Sequence, residues 1–149
     1  MIKLFYSILF ILLILTSVKV YSQEIPFNSF NVLKYDLNMN IYNCFIKPYP
    51  RSFSANEILT IRAESRIGQI SLNAVNNSLT IDSVSVSGSS FSHQNNLLLI
   101  NLDRFYDSSE VLDIRIFYKH KDIYDSSFIV RDGILYTDCE PIGARKWFP

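Results

Sequence analysis

The sequence predicts an all-β domain, built as an antiparallel β-sandwich or a curved open sheet. Apolar and polar residues alternate at period two over several segments, and these segments recur about every ten residues. No segment shows the apolar period of an amphipathic helix. Short strands at such spacing are typical of sandwiches and open sheets. The 149 residues, 48% of them hydrophobic, are enough for one domain with a buried core.

The first part of the predicted domain contains a strand, a loop and a second strand. Residues 34–41 alternate polar and apolar side chains, as expected of a strand with one buried and one wet face. Residues 59–64 repeat this pattern. Between them, the prolines of residues 43–52 lack backbone donors and restrict their neighbours, which predicts a loop.

The rest of the chain supplies further short β-rich segments, for a total of about eight strands. The continuous apolar run at 97–102 predicts a strand buried on both faces. The last two segments flank Arg131-Asp132-Gly133, whose glycine predicts a tight turn between paired strands. These segments are residues 70–72, 79–81, 84–86, 97–102, 112–118, 127–130 and 134–136.

Residues 1–22 have the pattern of a secretory signal peptide. A short basic start precedes the apolar residues 4–15, and small or polar residues around Ser22 offer a cleavage site. The apolar run is shorter than the roughly 20 residues of a spanning helix. We therefore expect no stable membrane span and export to the periplasm or the extracellular space. Residues 23–31 are then expected to form a flexible lead, and residues 32–149 the folded domain.

Composition excludes several kinds of partner and site. Loss of Lys3 and Lys19 with the signal peptide leaves 12 of the 14 basic side chains against 14 acidic ones, a net charge of −2. The basic residues form no stripe, so we predict no nucleic-acid binding. Cys44 and Cys139 are the only cysteines, and we expect two buried thiols more than a disulfide, although export would permit one.

The chain also lacks the residue patterns of a complete active site. His93 and His120 lie in different segments, outside any His-Glu-x-x-His string, and we expect both on the surface or in turns. Asp122 and Asp125 are not accompanied by the spacing of a calcium loop. No nucleophile motif of the Gly-x-Ser-x-Gly type is present. We therefore predict no catalytic residue, metal ligand or cofactor within this chain.

The most specific string runs from Thr137 to Pro149 and reads Thr-Asp-Cys-Glu-Pro-Ile-Gly-Ala-Arg-Lys-Trp-Phe-Pro. It resembles the signature that closes the N-terminal β-domain of M1-family zinc aminopeptidases, Thr-Gln-x-Glu-Pro/Ala-x-x-Ala-Arg-x-x-Phe-Pro. In that family the chain continues toward a catalytic domain. We therefore expect this sequence to be the front of a longer protein, truncated before its catalytic domain.

Weaker matches extend the resemblance over residues 32–149. Residues 35–39 resemble the Tyr-x-Leu-x-Leu strand of that family, and residues 53–57 its aromatic-x-Gly hairpin, with Ala55 in place of the glycine. Residues 70–86 resemble its Ile-x-Leu-His/Asn-Ala step and the following Leu-x-Ile-x-x-Val-x-Val strand. The resemblance implies the all-β fold of an aminopeptidase N-like N-terminal domain.

The resemblance also implies substrate-binding residues. Glu140 takes the position of the glutamate that binds the free α-amino group of a peptide substrate. Asp138 replaces a glutamine that lines the first side-chain pocket, so a second carboxylate stands beside Glu140. Asp138 would either strengthen the negative potential or, if buried with Glu140, share a proton with it. Arg145 is interpreted as structural, holding the loop through bidentate hydrogen bonds.

The remaining machinery of such an enzyme is expected outside this chain. Zinc would be held by the missing catalytic domain, joined in cis, and the substrate would be a peptide with a free N-terminus. Residues 147–149 are expected to pack onto that domain, so the isolated chain would expose apolar surface and associate. Two alternatives remain: a free-standing exported β-sandwich that binds a peptide or a sugar, and a catalytically dead M1-like scaffold. Whether the chain belongs to an active enzyme depends on the sequence downstream.

Overall fold

The computed structural model describes residues 29–86 and 88–149, so the predicted signal peptide and most of the predicted lead lie outside the described residues. None of the helices in these two ranges is long and apolar enough to cross a bilayer. The described strands are β1 Phe30–Asn40, β2 Phe53–Ala63, β3 Ile67–Asn73, β4 Leu79–Ser85, β5 Ser90–Gln94, β6 Leu97–Tyr106, β7 Val111–His120, β8 Phe128–Arg131 and β9 Ile134–Thr137. Two short 3-10 helices occupy Tyr42–Phe45 and Ala144–Lys146.

The strands form two sheets and a hairpin around one core. The first sheet has the order β1-β2-β7-β4, the second β3-β6-β5, and β8 pairs with β9; every pairing is antiparallel. Leu59 and Ile116 of the first sheet and Ile70 and Ile100 of the second are at most 1% exposed and belong to the same hydrophobic cluster. The predicted all-β sandwich is confirmed.

The central strands β2 and β7 show why the alternating pattern is decisive. In β2 every second side chain from Phe53 to Ala63 is buried, and in β7 every second one from Leu112 to His120. Successive side chains of a strand point to opposite faces, so one face of each strand packs into the core. Each large aliphatic side chain buried in this way stabilises the fold by roughly 1.5–3 kcal/mol.

Two predicted elements differ from the structure, and one strand was not predicted. The run at 97–102 is not buried on both faces, because its sheet is covered on one side: Leu98 is buried, whereas Leu97 is 42% exposed. Residues 79–81 and 84–86 belong to one strand, β4, whose pairing with β7 is interrupted by an irregularity between Ile81 and Ser83. Strand β5 was missed, since its polar sequence gives no apolar pattern and its pairing with β6 holds it in place.

The predicted hairpin at residues 53–57 is wrong. These residues begin β2, and Ala55, 8% exposed, packs into the core instead of forming a turn. Strand β1 also begins earlier than expected, at Phe30 within the predicted lead, where Phe30 pairs with Ala63. Both cysteines are free; Cys44 is buried as expected, but Cys139 is exposed.

Candidate functional site

A tight hairpin delivers the candidate site residues to one place. Strands β8 and β9 are joined by Asp132 and Gly133, whose φ angles of 52° and 79° are those required by a two-residue hairpin turn. Beyond β9 the backbone N–H of Asp138 donates to the carbonyl of Ser127 at 2.9 Å. The chain that follows, residues 138–143, therefore starts beside Ser127, the residue that precedes β8; we call it the Glu140 loop.

Glu140 and Asp138 both lie exposed in the Glu140 loop. The Asp138 Oδ1 atom accepts a hydrogen bond from the backbone N–H of Glu140 at 3.2 Å, an arrangement common in turns. No hydrogen bond or ion pair joins the Glu140 side chain to another described residue. Asp138 therefore holds the backbone of the loop in place. Because both carboxylates are exposed, they do not form the buried pair that was the alternative.

Gly143 lets the Glu140 loop fold back against the hairpin. A Cβ atom at this position would lie 2.7 Å from Ser127 Oγ and 3.0 Å from the Cys139 Cα, closer than van der Waals contact allows. The backbone N–H of Gly143 also donates to the carbonyl of Cys139 at 2.9 Å. The glycine of the terminal string is therefore required by close packing, a reason that the sequence alone did not reveal.

A partly buried polar network anchors the segment after the loop. Lys146 Nζ donates to the Asp125 carbonyl at 2.7 Å and to Ser126 Oγ at 3.1 Å. The Asp125 carboxylate accepts backbone N–H groups of Ser127 and Phe128 and lies 3.0 Å from His120 Nε2. Burial acts to raise the pKa of Asp125, but these hydrogen bonds outweigh it and leave the pKa below its ordinary value. The loop is thus held at both ends.

The end of the chain packs differently from the prediction. Trp147 and Phe148 contact the core of this domain, and Phe148 meets the Tyr35 ring edge-on at 5.7 Å. Arg145 holds the segment through its main chain, since its carbonyl accepts the Val75 N–H at 2.9 Å, whereas its Nε is buried without a partner among the described residues. The expected bidentate role of Arg145 and the expected exposed Trp147-Phe148 end are both wrong.

Apolar surface is exposed elsewhere on the domain. The side chains that are at least 45% exposed include residues of the first 3-10 helix, of β9 and of the Glu140 loop. The first 3-10 helix also contacts β9. The exposed apolar side chains in and directly after this helix, in β9 and in the Glu140 loop are Tyr42, Phe45, Ile46, Ile134, Tyr136 and Ile142. Exposed apolar residues beside a candidate site are a common feature of surfaces that another domain covers.

The exposure of Glu140 limits what it can bind alone. An ammonium ion 4 Å from a carboxylate gains only about 1 kcal/mol in water, but about 4 kcal/mol at the effective dielectric of about 20 near a protein surface. Exposed ion pairs accordingly contribute little. The Glu140 carboxylate can therefore select an amine strongly only where a second surface removes water from it.

A cavity of about 390 Å³ does not include the predicted site residues. It lies between the edge strands β1 and β3 and the end of the chain. Its walls include Phe30, Tyr35, Leu72, Arg145 and Phe148. Neither Glu140 nor Asp138 lines it, so the candidate site is an exposed loop and not a closed pocket.

The described residues do not fit a zinc site. No group of three or more His, Cys, Asp or Glu side chains comes together within residues 29–86 and 88–149. His120, expected on the surface, is fully buried; its Nδ1 lies 2.8 Å from the Arg51 carbonyl and its Nε2 near Asp125. Both ring nitrogens of His120 therefore have a hydrogen-bond partner within the domain. His93 lies in β5 with Nε2 3.0 Å from the Ala74 carbonyl.

One buried acid was missed by the sequence analysis. Glu57 is 0% exposed in β2, and neither carboxylate oxygen has a hydrogen-bond partner among the described residues. Burial raises its pKa from 4.5 to about 8. The alternating pattern of residues 59–64, extended backward by two positions, would have placed Glu57 on the core face.

Comparison with known proteins gives matches only among solved structures. No protein-family model and no characterised protein sequence matches the chain. An M1 zinc metallopeptidase of Deinococcus radiodurans matches with a TM-score of 0.67 and 18% identity, over 82% of this chain and 29% of that one. A mutant of that enzyme bound to a Tyr-Ser-Ala substrate matches with a TM-score of 0.67 and 20% identity, over 81% and 29%.

A two-domain M1 zinc metallopeptidase mutant bound to L-tryptophan gives a TM-score of 0.68 at 19% identity, over 82% of this chain and 29% of that chain. This chain therefore spans less than a third of the solved structures that it matches. TM-scores of 0.67 to 0.68 at identities of 18–20% establish the fold alone, and they confirm at that level the resemblance found in the sequence. The described part of the chain has the fold of a β-domain found in M1 zinc metallopeptidases.

Proposed function

We propose that this chain is the N-terminal, substrate-amine-binding domain of an exported M1-type zinc metallo-aminopeptidase. In this proposal the chain is not catalytic alone. Glu140 binds the free α-amino group of a peptide substrate, and Asp138 holds the Glu140 backbone and adds negative potential. The catalytic domain is joined in cis, supplies the zinc and covers the Glu140 loop.

The fold match together with the terminal string carries the proposal. The chain corresponds to 29% of the length of the matched M1 zinc metallopeptidases, one of which is bound to a Tyr-Ser-Ala substrate. The terminal Glu-Pro-x-x-Ala-Arg-x-x-Phe-Pro string is the most specific part of the sequence resemblance. Neither the fold nor the string alone distinguishes an enzyme domain from a binding module, but they occur here in one chain.

The geometry of the Glu140 loop is consistent with an amine anchor. Glu140 is free of other described partners, so its carboxylate is available to a ligand. Its backbone is fixed by Asp138, by the packing of Gly143 and by the Lys146 contacts, which lowers the entropy lost on binding. A covering domain would provide the lower dielectric that a strong interaction with an ammonium ion requires.

Zinc chemistry, in this proposal, belongs wholly to the other domain. The described residues do not assemble a ligand set, and a catalytic zinc site takes three protein ligands. Zinc would supply a Lewis acid and an activated water when bound there. The residues of this chain would contribute recognition of the peptide terminus and a wall of the cleft.

Export rests on the signal-peptide pattern of residues 1–22. The mature chain would begin near Gln23 in the periplasm or outside the cell. N-terminal sequencing of the purified native protein tests this directly. A protein that retains Met1 would contradict export by cleavage.

The first experiment is the intact mass of the native protein. The 149 residues account for 17.3 kDa, and the proposal requires a much larger mass together with bound zinc. A mass equal to that of the processed 149-residue chain would overturn the enzyme-domain proposal. In that case a binding module or scaffold would remain.

The second experiment tests the amine anchor in the native full-length protein. Glu140→Gln removes the charge and is expected to lower kcat/KM for free peptides roughly 10- to 100-fold, since hydrogen bonds to charged groups contribute about 1.5–3 kcal/mol. The preference for free over acetylated N-termini should fall with it. Asp138→Asn keeps the Oδ1 acceptor for the Glu140 N–H and should have a smaller effect.

Asp132→Asn is the matched control. Asp132 is an exposed acid at the hairpin turn, and asparagine tolerates its positive φ angle. The activity of the Asp132→Asn variant should equal that of the wild type. Unchanged discrimination between free and blocked peptides in Glu140→Gln would remove the anchor role.

A further inference from the structure

The outer face of the four-stranded sheet carries two rows of residues that are all polar except Phe117. In β2 the neighbouring residues Phe53, Ala55 and Glu57 are buried, so Ser54 and Asn56 point away from the core. The strand register places their partners on the same face. The two rows are Asn38-Asn56-Phe117-Ser83 and Asn40-Ser54-Lys119-Thr80; we call them together the asparagine face.

The residue types of the asparagine face are unusual for strands. Asparagine is depleted in β-strands, yet Asn38, Asn40 and Asn56 occupy outward positions of β1 and β2. Residue types that do not favour the secondary structure they occupy are often found at functional sites. None of these three amides has a hydrogen-bond partner among the described side chains and backbone groups.

The other end of the same sheet face is different, because its polar side chains bond to each other. Thr60 Oγ1 donates to Asp113 at 2.6 Å, and Arg62 forms an ion pair with Glu64 at 2.9 Å. The three amides of the asparagine face take part in no such pair among the described residues, so they are open to a ligand.

The asparagine face is concave. Two depressions of about 180 and 240 Å³ adjoin there and share Asn40 and Ser54 as walls. Together they reach the lower end of the roughly 300–1,000 Å³ typical of small-molecule sites. The Phe117 ring, 37% exposed, lines the first depression, and Lys119 the second.

The chemistry of this surface restricts the ligand. Lys119 and Asp82 form an ion pair at 2.8 Å, so the surface carries no net charge to attract a phosphate or a nucleic acid. The backbone groups of β2 are used on both sides, by β1 and β7, so an extended peptide cannot add to the sheet there. A sugar hydroxyl both donates and accepts hydrogen bonds. An asparagine side chain can pair with it in both ways, through its NH₂ group and its carbonyl oxygen.

We propose that the asparagine face binds a neutral oligosaccharide. Asn38, Asn40 and Asn56 hydrogen-bond to its hydroxyls, and the Phe117 ring packs against the apolar face of one pyranose ring. This site is separate from the Glu140 loop, none of whose residues lines either depression. The proposal does not depend on the enzyme-domain proposal.

The test is an NMR titration of the ¹⁵N-labelled chain with cellotriose, mannotriose and chitotriose at millimolar concentration. Shift changes should cluster at Asn38, Asn40, Asn56 and Phe117 for at least one probe. Asn56→Ala should weaken that binding on the order of tenfold, as expected for loss of about 1.4 kcal/mol. Phe117→Ala should have an effect of similar size.

Thr60→Ala is the control. Thr60 lies on the same face of β2, but its hydroxyl is hydrogen-bonded to Asp113, so the variant should bind the oligosaccharide like the wild type. If Phe117→Ala fails to fold, Asn40→Ala takes its place. The proposal is overturned if no probe shifts the asparagine face, or if Asn56→Ala and Asn40→Ala bind like the wild type. Preferential binding of an anionic heparin oligosaccharide or of a peptide at this face would also overturn it.

Discussion

The domain holds two glutamates in opposite surroundings, Glu57 on the core face of β2 and Glu140 in the loop after β9. Glu57 is fully buried with both oxygens unpartnered, whereas Glu140 is exposed on a loop fixed by its neighbours. The sequence motif marks Glu140, yet the larger energetic effect belongs to Glu57. A motif therefore indicates where a carboxylate can bind a ligand, whereas burial determines how much that carboxylate lowers the stability of the fold.

The cost of Glu57 follows from its surroundings. A buried carboxyl group remains protonated because its charged form loses hydration without gaining a partner. Burial raises the pKa of the Tyr35 and Tyr118 hydroxyls, and the nearby negative charge of Glu57 raises it further. Ionisation of Glu57 would place a charge among apolar side chains.

Glu57→Gln is expected to give the largest change, because glutamine keeps the shape of the neutral acid without a proton to bind. With a pKa of about 8 folded and 4.5 unfolded, the variant should be more stable near pH 7 by about 3 kcal/mol. Urea unfolding at several pH values measures this.

The pH dependence has a definite sign. Since the folded pKa is the higher one, the stability of the wild type is full below pH 4.5 and falls by about 1.4 kcal/mol per unit as the pH rises toward about 8. The difference between wild type and Glu57→Gln should vanish near pH 4. A difference that is independent of pH would show that Glu57 is not protonated in the folded state.

Gly143→Ala is expected to give an intermediate change and to break the order of the Glu140 loop. The added methyl group would overlap the Asp138 carbonyl and the Ser127 hydroxyl, and overpacking of this kind costs about 1–3 kcal/mol. Chemical unfolding measures the loss, and NMR shifts of Glu140 report the displaced loop. Ile142→Ala, at a position 57% exposed, is the control and should change stability by less than about 0.5 kcal/mol.

Glu140→Gln is expected to give the smallest change in stability. Its exposed carboxylate contacts no other described side chain, so removal of the charge should alter the free energy of unfolding by less than about 0.5 kcal/mol. The same urea experiment serves as the matched comparison with Glu57→Gln. A destabilisation above about 1 kcal/mol would mean that Glu140 has a structural role and would weaken its assignment as a free anchor.

Much of the fold could be predicted because alternation is a local property. The pattern of residues 112–118 shows which side chains of β7 are buried, and Asp132-Gly133 marks the last hairpin. Strand β5 could not be found in this way, since Ser90–Gln94 has no apolar face and depends on β6 for its pairing. Ala55 likewise entered the core instead of a turn, because β2 continues through it.

The candidate site was predicted only in part. The terminal string indicated Glu140 and Asp138, but the close packing of Gly143 against Ser127 depends on the segment before β8 lying beside the loop. The asparagine face was also hidden, because Asn38 and Asn56 are 18 positions apart in the numbering and adjacent only through the register of β1 and β2.

The sequence by itself determined the all-β class, most of the strands and the resemblance carried by the terminal string. These depend on residues that are near one another along the chain. The tertiary structure decided which acids are buried, that Trp147 and Phe148 pack onto their own domain, and which polar residues share a surface. Burial and proximity arise from contacts between distant segments, and a local pattern does not contain them.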